Sequence, residues 1–186
     1  CDHGPVRLFL NEKGRLAEKT QEWDLSDAVG LWSGVATGDF NNDGRPDLIV
    51  SNWGQNHRHQ IHRHHPIVVR YGDTQGDGVV DAIQGYFSVE RNEWAPYRMR
   101  EPQSRVVSSI PQRFATHQAY SQAALSEIWE PGIDYTDVTL RSFESTLFIN
   151  RGNEFESQPL PIEAQMAPGT SVCIADFNGD GNEDVF

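Results

Sequence analysis

Three short acidic segments hold the side chains of this sequence that are best suited to bind a ligand. Each segment has carboxylates at its first, fifth and ninth positions, a side-chain amide at the third and glycine at the sixth. We name them the first (39–47, DFNNDGRPD), second (73–81, DTQGDGVVD) and third (176–184, DFNGDGNED) acidic loops. Hard oxygen ligands on alternate residues around a turn that glycine permits are what Ca²⁺ requires. The pattern therefore predicts up to three calcium ions.

A loop of this kind could lie between two helices or between two strands. The helix–loop–helix type needs a carboxylate at position 12, but position 12 is Val50 in the first loop and Gln84 in the second. Short runs rich in β-branched residues flank the loops at 34–38, 48–51, 67–71 and 172–175. Such runs are typical of strands. The sequence therefore favours calcium loops within β-hairpins.

A second motif also repeats. Residues 6–16 resemble residues 145–155, because both have Leu-Phe-x-Asn followed by a glycine-containing turn and a further apolar residue. Both segments predict a β-hairpin. An acidic loop follows each hairpin within roughly thirty residues. We therefore expect a repeating unit made of a Leu-Phe-x-Asn hairpin, a connector and an acidic-loop hairpin.

Residues 108–129 depart from the strand pattern. Pro111 suits a first helical turn behind a serine cap, and Leu125 and Ile128 share one face with Phe114. The segment predicts a helix that the Pro-Gly pair at 131–132 ends. We expect a helical insertion at residues 104–131, within an inserted region of about fifty residues that separates the second and third loops.

Composition narrows the possible functions. The chain has 186 residues and a formal net charge of −12, and nine of its 27 acidic residues lie at positions 1, 5 and 9 of the loops. A nucleic-acid-binding protein would need a basic face, so we expect no nucleic-acid partner. No apolar run reaches the ~18 residues of a membrane-spanning helix. Cys173 lies in an apolar run and predicts a buried free thiol, whereas Cys1 is either a lipidation site or the start of a fragment.

The two motifs together resemble the FG-GAP/VCBS repeats of integrin-type β-propellers. The resemblance rests on the loop segments 38–50, which begins Gly-Asp-Phe-Asn-Asn-Asp-Gly, and 175–186, which begins Ala-Asp-Phe-Asn-Gly-Asp-Gly, and on the two Leu-Phe-x-Asn hairpins. Segments 52–54, 71–81 and 160–168 extend it to the bacterial ASPIC/UnbV and cartilage acidic protein relatives. The resemblance implies an all-β fold, a partial β-propeller of two to three blades with one helical insertion. It implies a single domain over 1–186 that is truncated at both ends, with further blades of the full-length chain packing against it.

The resemblance also implies a role for each loop residue. The side chains of positions 1, 3, 5 and 9 and the carbonyl of position 7 would ligate one Ca²⁺ per loop. The implied ligands are Asp39, Asn41, Asp43, Arg45 and Asp47; Asp73, Gln75, Asp77, Val79 and Asp81; and Asp176, Asn178, Asp180, Asn182 and Asp184. Gln75 departs from the family, which has Asp or Asn there, and its longer arm weakens the expected second site.

Other candidate sites have plainer explanations. Five histidines within residues 57–65 could bind Zn²⁺, but their spacing fits no fixed metal motif and an exposed connector explains them. Ser108, Ser109 and His117 are close in sequence, yet a helix cap and a helix face account for them. Five tryptophans could line a sugar-binding surface or pack in the core; they are Trp23, Trp32, Trp53, Trp94 and Trp129.

The sequence thus predicts a non-enzymatic, calcium-stabilised repeat module. We expect it outside the cytosol, on the surface or in the periplasm of a bacterium, where it binds a protein or glycan ligand. The concentration of Ca²⁺ there suits weak loop sites. Two alternatives stay open: a propeller domain of a carbohydrate-active lyase or hydrolase, and a spacer in a surface adhesin.

Overall fold

Antiparallel strands dominate the computed structural model, which describes residues 2–56 and 67–186. The strands are β1 (Asp2–Pro5), β2 (Phe9–Glu12), β3 (Arg15–Glu18), β4 (Val29–Leu31), β5 (Gly34–Gly38), β6 (Asp47–Ser51), β7 (Ile67–Gly72), β8 (Asp81–Ser88), β9 (Glu93–Pro96), β10 (Thr136–Leu140), β11 (Thr146–Asn150), β12 (Phe155–Pro159), β13 (Ile174–Ala175) and β14 (Asp184–Val185). The helices are α1 (Arg100–Ser104), α2 (Ile110–Arg113), α3 (His117–Ser121) and α4 (Leu125–Ile128), with a 3-10 helix at Ile162–Gln165. The expected all-β class is confirmed.

The chain divides into two compact units. Unit 1 comprises Cys1–Gln60 and Arg141–Phe186, and unit 2 comprises Ile61–Leu140. The single domain expected over 1–186, with its helical insertion at 104–131, stays a prediction. Unit 2 has a sheet of its own, and the second acidic loop lies in it.

One four-stranded antiparallel sheet forms the centre of unit 1, in the order β12-β11-β6-β5. Its two halves are the hairpin that holds the first acidic loop and the second Leu-Phe-x-Asn hairpin. They join where β6 pairs with β11, with Val50 opposite Thr146 and Leu48 opposite Phe148. The sheet is therefore continuous in space although unit 2 separates its halves in sequence. The acidic-loop hairpin precedes its Leu-Phe-x-Asn partner in this sheet, which reverses the order of the expected repeat.

Both predicted Leu-Phe-x-Asn hairpins are present. β2 pairs with β3 from Phe9 opposite Glu18, and β11 pairs with β12 from Thr146 opposite Pro159. The asparagine of the motif closes each turn. The N–H of Gly14 donates to Asn11 Oδ1 at 2.7 Å, and the N–H of Gly152 donates to Asn150 Oδ1 at 2.8 Å. Two further strand pairs, β1–β4 and β13–β14, complete unit 1.

Aromatic rings build the core of unit 1. Trp32 packs edge-on against Phe148 at 6.0 Å between ring centroids, and Trp23 packs against Phe155 at 5.4 Å. Leu25 and Val50 are buried in the same cluster. Burial of each such side chain stabilises the fold by roughly 1.5–3 kcal/mol. These two tryptophans serve packing, as do Trp94 and Trp129 in unit 2.

A buried polar clamp joins the points where the chain leaves and re-enters unit 1. The N–H of Asn52 donates to Ser145 Oγ, and the N–H of Gly54 donates to the carbonyl of Phe143. Gln165 is 1% exposed, and its side-chain amide forms hydrogen bonds with backbone groups beside this clamp. Its Oε1 accepts the N–H of Ser145 at 2.9 Å, and its Nε2 donates to the carbonyls of Ser145 and Leu160 at 2.9 and 3.1 Å.

Unit 2 packs short helices against a four-stranded antiparallel sheet of order β10-β7-β8-β9. Its core includes the fully buried Ile83 of the sheet and Ile110 and Ile128 of the helices. Gly85 allows α4 to approach the sheet, because a Cβ at that position would lie 2.6 Å from Leu125 Cδ2. The sheet and the helices of unit 2 therefore share one core.

The helical region is broken into short helices rather than formed as the one helix expected over residues 108–129. Pro111 does occupy the first turn of α2, behind Ser109 as N-cap residue. The backbone then leaves the helical conformation at Phe114, and Thr116 caps the start of α3 by accepting the N–H of Ala119. Ala124 is extended before α4. These breaks let successive short helices each turn a buried residue toward the sheet.

The expected burial of Cys173 is wrong, because this thiol is free and exposed. Its backbone pairs with that of Phe186 in both directions, but β13 and β14 form only a two-stranded pair, which covers little surface. Cys1 lies outside the described residues. No helix among the described residues is long and apolar enough to cross a membrane.

We predict that Gln165→Ala destabilises the protein. The substitution leaves the N–H of Ser145 and the carbonyl of Leu160 without their partner and removes one of the two donors to the carbonyl of Ser145, which lowers the free energy of unfolding by roughly 2–4 kcal/mol. Urea denaturation followed by circular dichroism measures the change. Gln158→Ala, at an exposed position of β12, is the control and shifts the value by less than about 0.5 kcal/mol. Equal effects of the two substitutions would contradict the role of the clamp.

Candidate metal-binding loops

All three acidic loops connect antiparallel strands with the same register. The first joins β5 to β6, the second β7 to β8 and the third β13 to β14. In each loop the aspartate at position 9 lies opposite the residue that precedes position 1: Asp47 opposite Gly38, Asp81 opposite Gly72 and Asp184 opposite Ala175. The flanking strands confirm that the loops lie in β-hairpins, as the lack of a carboxylate at position 12 predicted.

The carboxylate at position 1 organises each turn by accepting backbone N–H groups. Asp39 accepts from Asp43 at 3.0 Å and from Gly44 at 2.8 Å. Asp73 and Asp176 accept from the equivalent fifth and sixth residues of their loops at 2.8–3.1 Å. The loop backbone therefore wraps around one carboxylate in all three copies.

Positions 3 and 5 extend this wrapping. The carboxylate at position 5 accepts the N–H two residues further on, at 2.9, 2.9 and 2.8 Å for Asp43, Asp77 and Asp180. At position 3, the amide oxygens of Asn41 and Asn178 accept the N–H of position 5 at 3.1 and 2.9 Å. Gln75 makes no such bond within the described part of the chain. Its side chain is one methylene longer than the Asn found at position 3 of the other two loops.

Two positions of each loop have left-handed backbone. At position 6, Gly44, Gly78 and Gly181 have φ of 83°, 81° and 87°, as the sequence predicted. Position 4 adopts the same region, with φ of 57°, 70° and 76° at Asn42, Gly76 and Gly179. Sequence reasoning missed this second requirement. The signal was present, because Asn and Gly are the residues that tolerate this conformation best.

The aspartate at position 9 closes each loop onto its own beginning. Asp47 accepts the N–H of Phe40 at 3.0 Å, and Asp184 accepts that of Phe177 at 2.9 Å. Asp81 accepts both the N–H and the hydroxyl of Thr74. Asp47 and Asp81 are buried, so their charges depend on these hydrogen bonds.

Asp47 has a second partner that the sequence did not indicate. Its Oδ1 accepts the N–H of Asn150 at 2.7 Å, and Asn150 Nδ2 donates to the carbonyl of Pro46 at 3.0 Å. Arg45 adds a third link, because its Nε donates to the carbonyl of Asn150 at 2.9 Å. The first acidic loop is thereby fastened to the Leu-Phe-x-Asn hairpin across the β6–β11 pairing.

Backbone hydrogen bonds lower the pKa of several loop carboxylates. The N–H of Gly78 is the main cause that lowers the pKa of Asp73, and the N–H of Gly181 does the same for the pKa of Asp176. The N–H of Asn182 lowers the pKa of Asp180. Deprotonated oxygens are the form that a hard divalent cation binds.

The donor set fits Ca²⁺ by its chemistry. At positions 1, 3, 5 and 9 each loop presents three carboxylates and one amide, and a carboxylate oxygen that accepts one N–H keeps a further lone pair. Among residues 2–56 and 67–186, however, no three His, Cys, Asp or Glu side chains are arranged to hold a metal ion. Ligation by the fifteen residues named from the sequence therefore stays a prediction.

The first and third loops contact each other. Glu183 accepts the N–H of Asp39, and Asn42 Nδ2 donates to Asn182 Oδ1 at 3.2 Å. Gly38 permits this approach, because a Cβ there would overlap the Glu183 carboxylate. The structure therefore brings two of the three predicted sites together in unit 1.

The structure gives no support for a reactive site at the other candidate residues, which are the histidines at 57–65 and Ser108, Ser109 and His117. The histidines at 57–65 lie outside the described residues. Ser109 is the N-cap residue of α2, and the His117 imidazole lies 2.5 Å from Glu101 on the surface. His117 lies in α3, whereas Ser109 occupies the N-cap position of α2 without a side-chain capping hydrogen bond, so the expected serine cap is present by position only.

We predict that Asp47 stabilises the fold even without metal. In the presence of a chelator, Asp47→Ala leaves the N–H groups of Phe40 and Asn150 unpaired and lowers the free energy of unfolding by roughly 2–4 kcal/mol. Asp43→Ala in the same loop removes only exposed contacts and costs less than about 1 kcal/mol. Chemical denaturation of both variants in chelator measures the difference. Equal destabilisation would contradict the separate structural role of position 9.

Comparison with known proteins gives one match. Residues 1–50 match the family model of the FG-GAP-like repeat, and this stretch contains the first Leu-Phe-x-Asn hairpin and the first acidic loop. No curated protein and no solved structure matches the chain. The narrower likeness to ASPIC/UnbV and cartilage acidic proteins stays a prediction. The similarity to an FG-GAP-like repeat thus covers the first hairpin and the first acidic loop.

Proposed function

We propose that this chain is a calcium-stabilised β-propeller repeat module that acts as a non-enzymatic binding or scaffold domain outside the bacterial cytosol. The observation that carries the proposal is the threefold identity of the acidic loops. They share residue types, strand register and backbone hydrogen bonds at positions 1, 5 and 9. Hydrogen bonds to the turn explain part of this pattern, but three carboxylates within nine residues also repel one another, and a bound cation would remove that repulsion.

One Ca²⁺ per loop would neutralise these carboxylates. The ligands would be the side chains of positions 1, 3, 5 and 9 and the carbonyl of position 7. The hydrogen bonds described above hold positions 1 and 5 on the inner side of the turn, so the chain itself limits the motion of its ligands. The ion would then stabilise the hairpin that carries it, because it binds the folded state.

The sheet of unit 1 supports the propeller part of the proposal. Its four antiparallel strands follow one another in chain order, β5-β6-β11-β12, as the strands of a propeller blade do. The contact between the first and third loops then joins two successive repeats at the same end of their strands. A binding surface at the loop end of these strands would then be formed and positioned by the acidic loops.

We predict saturable calcium binding by the chelator-stripped protein. Titration calorimetry should give up to three sites, with dissociation constants on the order of 10⁻⁴–10⁻³ M, as for other extracellular modules. At a hundredfold excess over its dissociation constant, each site should add about 2.7 kcal/mol to the free energy of unfolding. Asp43→Ala, Asp77→Ala and Asp180→Ala should each remove one site.

Asp27→Ala is the matched control, because Asp27 is exposed and lies outside the loops. It should leave the number of sites and the calcium-dependent rise in unfolding temperature unchanged. Circular dichroism establishes that the stripped sample is folded. A folded sample that neither binds Ca²⁺ nor gains stability from it would overturn the proposal.

We also predict that Glu183 couples the first and third sites. In an Asp77→Ala background, only these two sites remain to be titrated. Glu183→Ala removes the contact with the Asp39 N–H, so the two sites should bind Ca²⁺ independently and with several-fold lower affinity. Glu163→Ala, an exposed carboxylate on the 3-10 helix, is the control. Unchanged isotherms for Glu183→Ala would show that the loops act separately.

A further inference from the structure

Unit 2 contains a pocket that none of the calcium chemistry explains. It has a volume of about 450 Å³ and lies between β8, the segment that leads from β9 into α1, and α3. The side chains that define it are Tyr86, Tyr97, Arg98, Arg100, His117 and Tyr120, and we name it the tyrosine–arginine pocket. Its size falls within the range of small-molecule sites.

Two aromatic rings form one part of the pocket wall. Tyr86 and Tyr97 meet edge to face, with 6.3 Å between centroids and an interplanar angle of 84°. Both side chains are half-buried, so each ring is fixed by its surroundings and still presents surface to the pocket. Rigid tyrosine rings offer an apolar face together with a polar hydroxyl, which suits a ligand that is itself amphipathic.

The charge of the pocket is opposite to that of the chain. The protein carries 27 acidic residues, yet the pocket lining includes two arginines and a histidine and no Asp or Glu. Arg98 is exposed and has no hydrogen bond or ion pair within the described part of the chain. Arg100 uses its Nε to hold the carbonyl of Phe114 at 2.7 Å. The nearest acid in sequence, Glu101, is engaged by His117 at 2.5 Å.

Tyr120 provides a buried polar atom at the same place. The residue is 3% exposed and its hydroxyl has no hydrogen-bond partner among the described residues. Burial raises the pKa of Tyr120 to about 12, so the hydroxyl stays protonated and able to donate. A buried hydroxyl without a partner is costly, and a bound ligand or water would relieve that cost.

We propose that the tyrosine–arginine pocket binds a carboxylated pyranose, the chemistry of a uronic acid. The C–H face of the sugar would pack against the tyrosine rings, the carboxylate would pair with the Arg98 guanidinium, and the ring hydroxyls would find the polar groups of the wall. Guanidinium and carboxylate match in a planar, bidentate geometry. The inference names a ligand class for the binding role proposed above, but it does not depend on the calcium ions.

Other anions fit the pocket less well. A polyphosphate or nucleic acid would be repelled by the formal net charge of −12, and it would need more cations than this pocket provides. A simple carboxylate would pair with Arg98 but would leave the aromatic wall unused. The combination of one unpaired guanidinium with an aromatic wall therefore favours a single acidic sugar.

The test compares methyl β-glucuronoside with methyl β-glucoside and with acetate. The first two differ only in the carboxylate, and acetate carries the carboxylate without the ring. Titration of the ¹⁵N-labelled full chain, followed by amide chemical shifts at constant Ca²⁺, should show at least tenfold tighter binding of the glucuronoside than of either control. The shifts should centre on residues 86 and 97–100. Glucoside or acetate binding as tightly as the glucuronoside would overturn the proposal.

Two substitutions locate the site. Arg98→Gln should weaken glucuronoside binding at least tenfold and leave weak glucoside binding unchanged, whereas Tyr97→Leu should weaken both. Arg105→Gln, at an exposed position outside the pocket, is the control and should change neither. Glucuronoside binding that survives Arg98→Gln would also overturn the proposal. Because calcium binding is measured separately, failure here would leave the proposed calcium module intact.

Discussion

The buried carboxylate of Asp47 is the contact on which unit 1 depends most. It is 0% exposed, and a buried charge is tolerated only where hydrogen bonds replace its lost hydration. One oxygen closes the first acidic loop through Phe40, and the other reaches Asn150, a residue 103 positions away. Loop closure and strand pairing therefore share one side chain. If the loop opens, the β6–β11 junction loses a partner, so local order at the turn and the integrity of the sheet are linked.

This link explains how a sheet can tolerate unit 2 between its strands. The entropy of closing a loop grows only slowly with its length, so eighty intervening residues are acceptable if the two ends are held firmly. The clamp of Asn52, Ser145 and Gln165 holds them with buried hydrogen bonds to backbone groups. Unit 2 in turn has its own sheet and core, which reduces its dependence on the strands that it separates.

Local patterns predicted local structure well. The hairpin around Asn11 and Gly14 and the strands beside each loop follow from alternation, turn residues and β-branched runs, which act over a few residues. Local sequence patterns could not predict the pairing of Val50 with Thr146, because it depends on contacts between residues distant in sequence. The single helix failed for a related reason: tertiary packing of short helices overrode a continuous helical pattern. In the loops, ligand-type residues were recognisable, whereas the contact from Asp47 to Asn150 required the fold.

The positions at which the three loops differ are explained by the neighbours that each loop contacts. Positions 1, 5, 6 and 9 repeat, and each makes contacts within its own loop, although Asp47 also reaches Asn150. Positions 7 and 8 vary because they meet different neighbours. Arg45 reaches the carbonyl of Asn150, and Glu183 reaches the N–H of Asp39, whereas Val79 and Val80 are 60% and 65% exposed. The repeated positions 1, 5, 6 and 9 would thus preserve one binding chemistry, while positions 7 and 8 adapt each loop to its neighbours in the fold. Substitutions at positions 7 and 8 should therefore alter the contacts between loops before they alter what a loop binds.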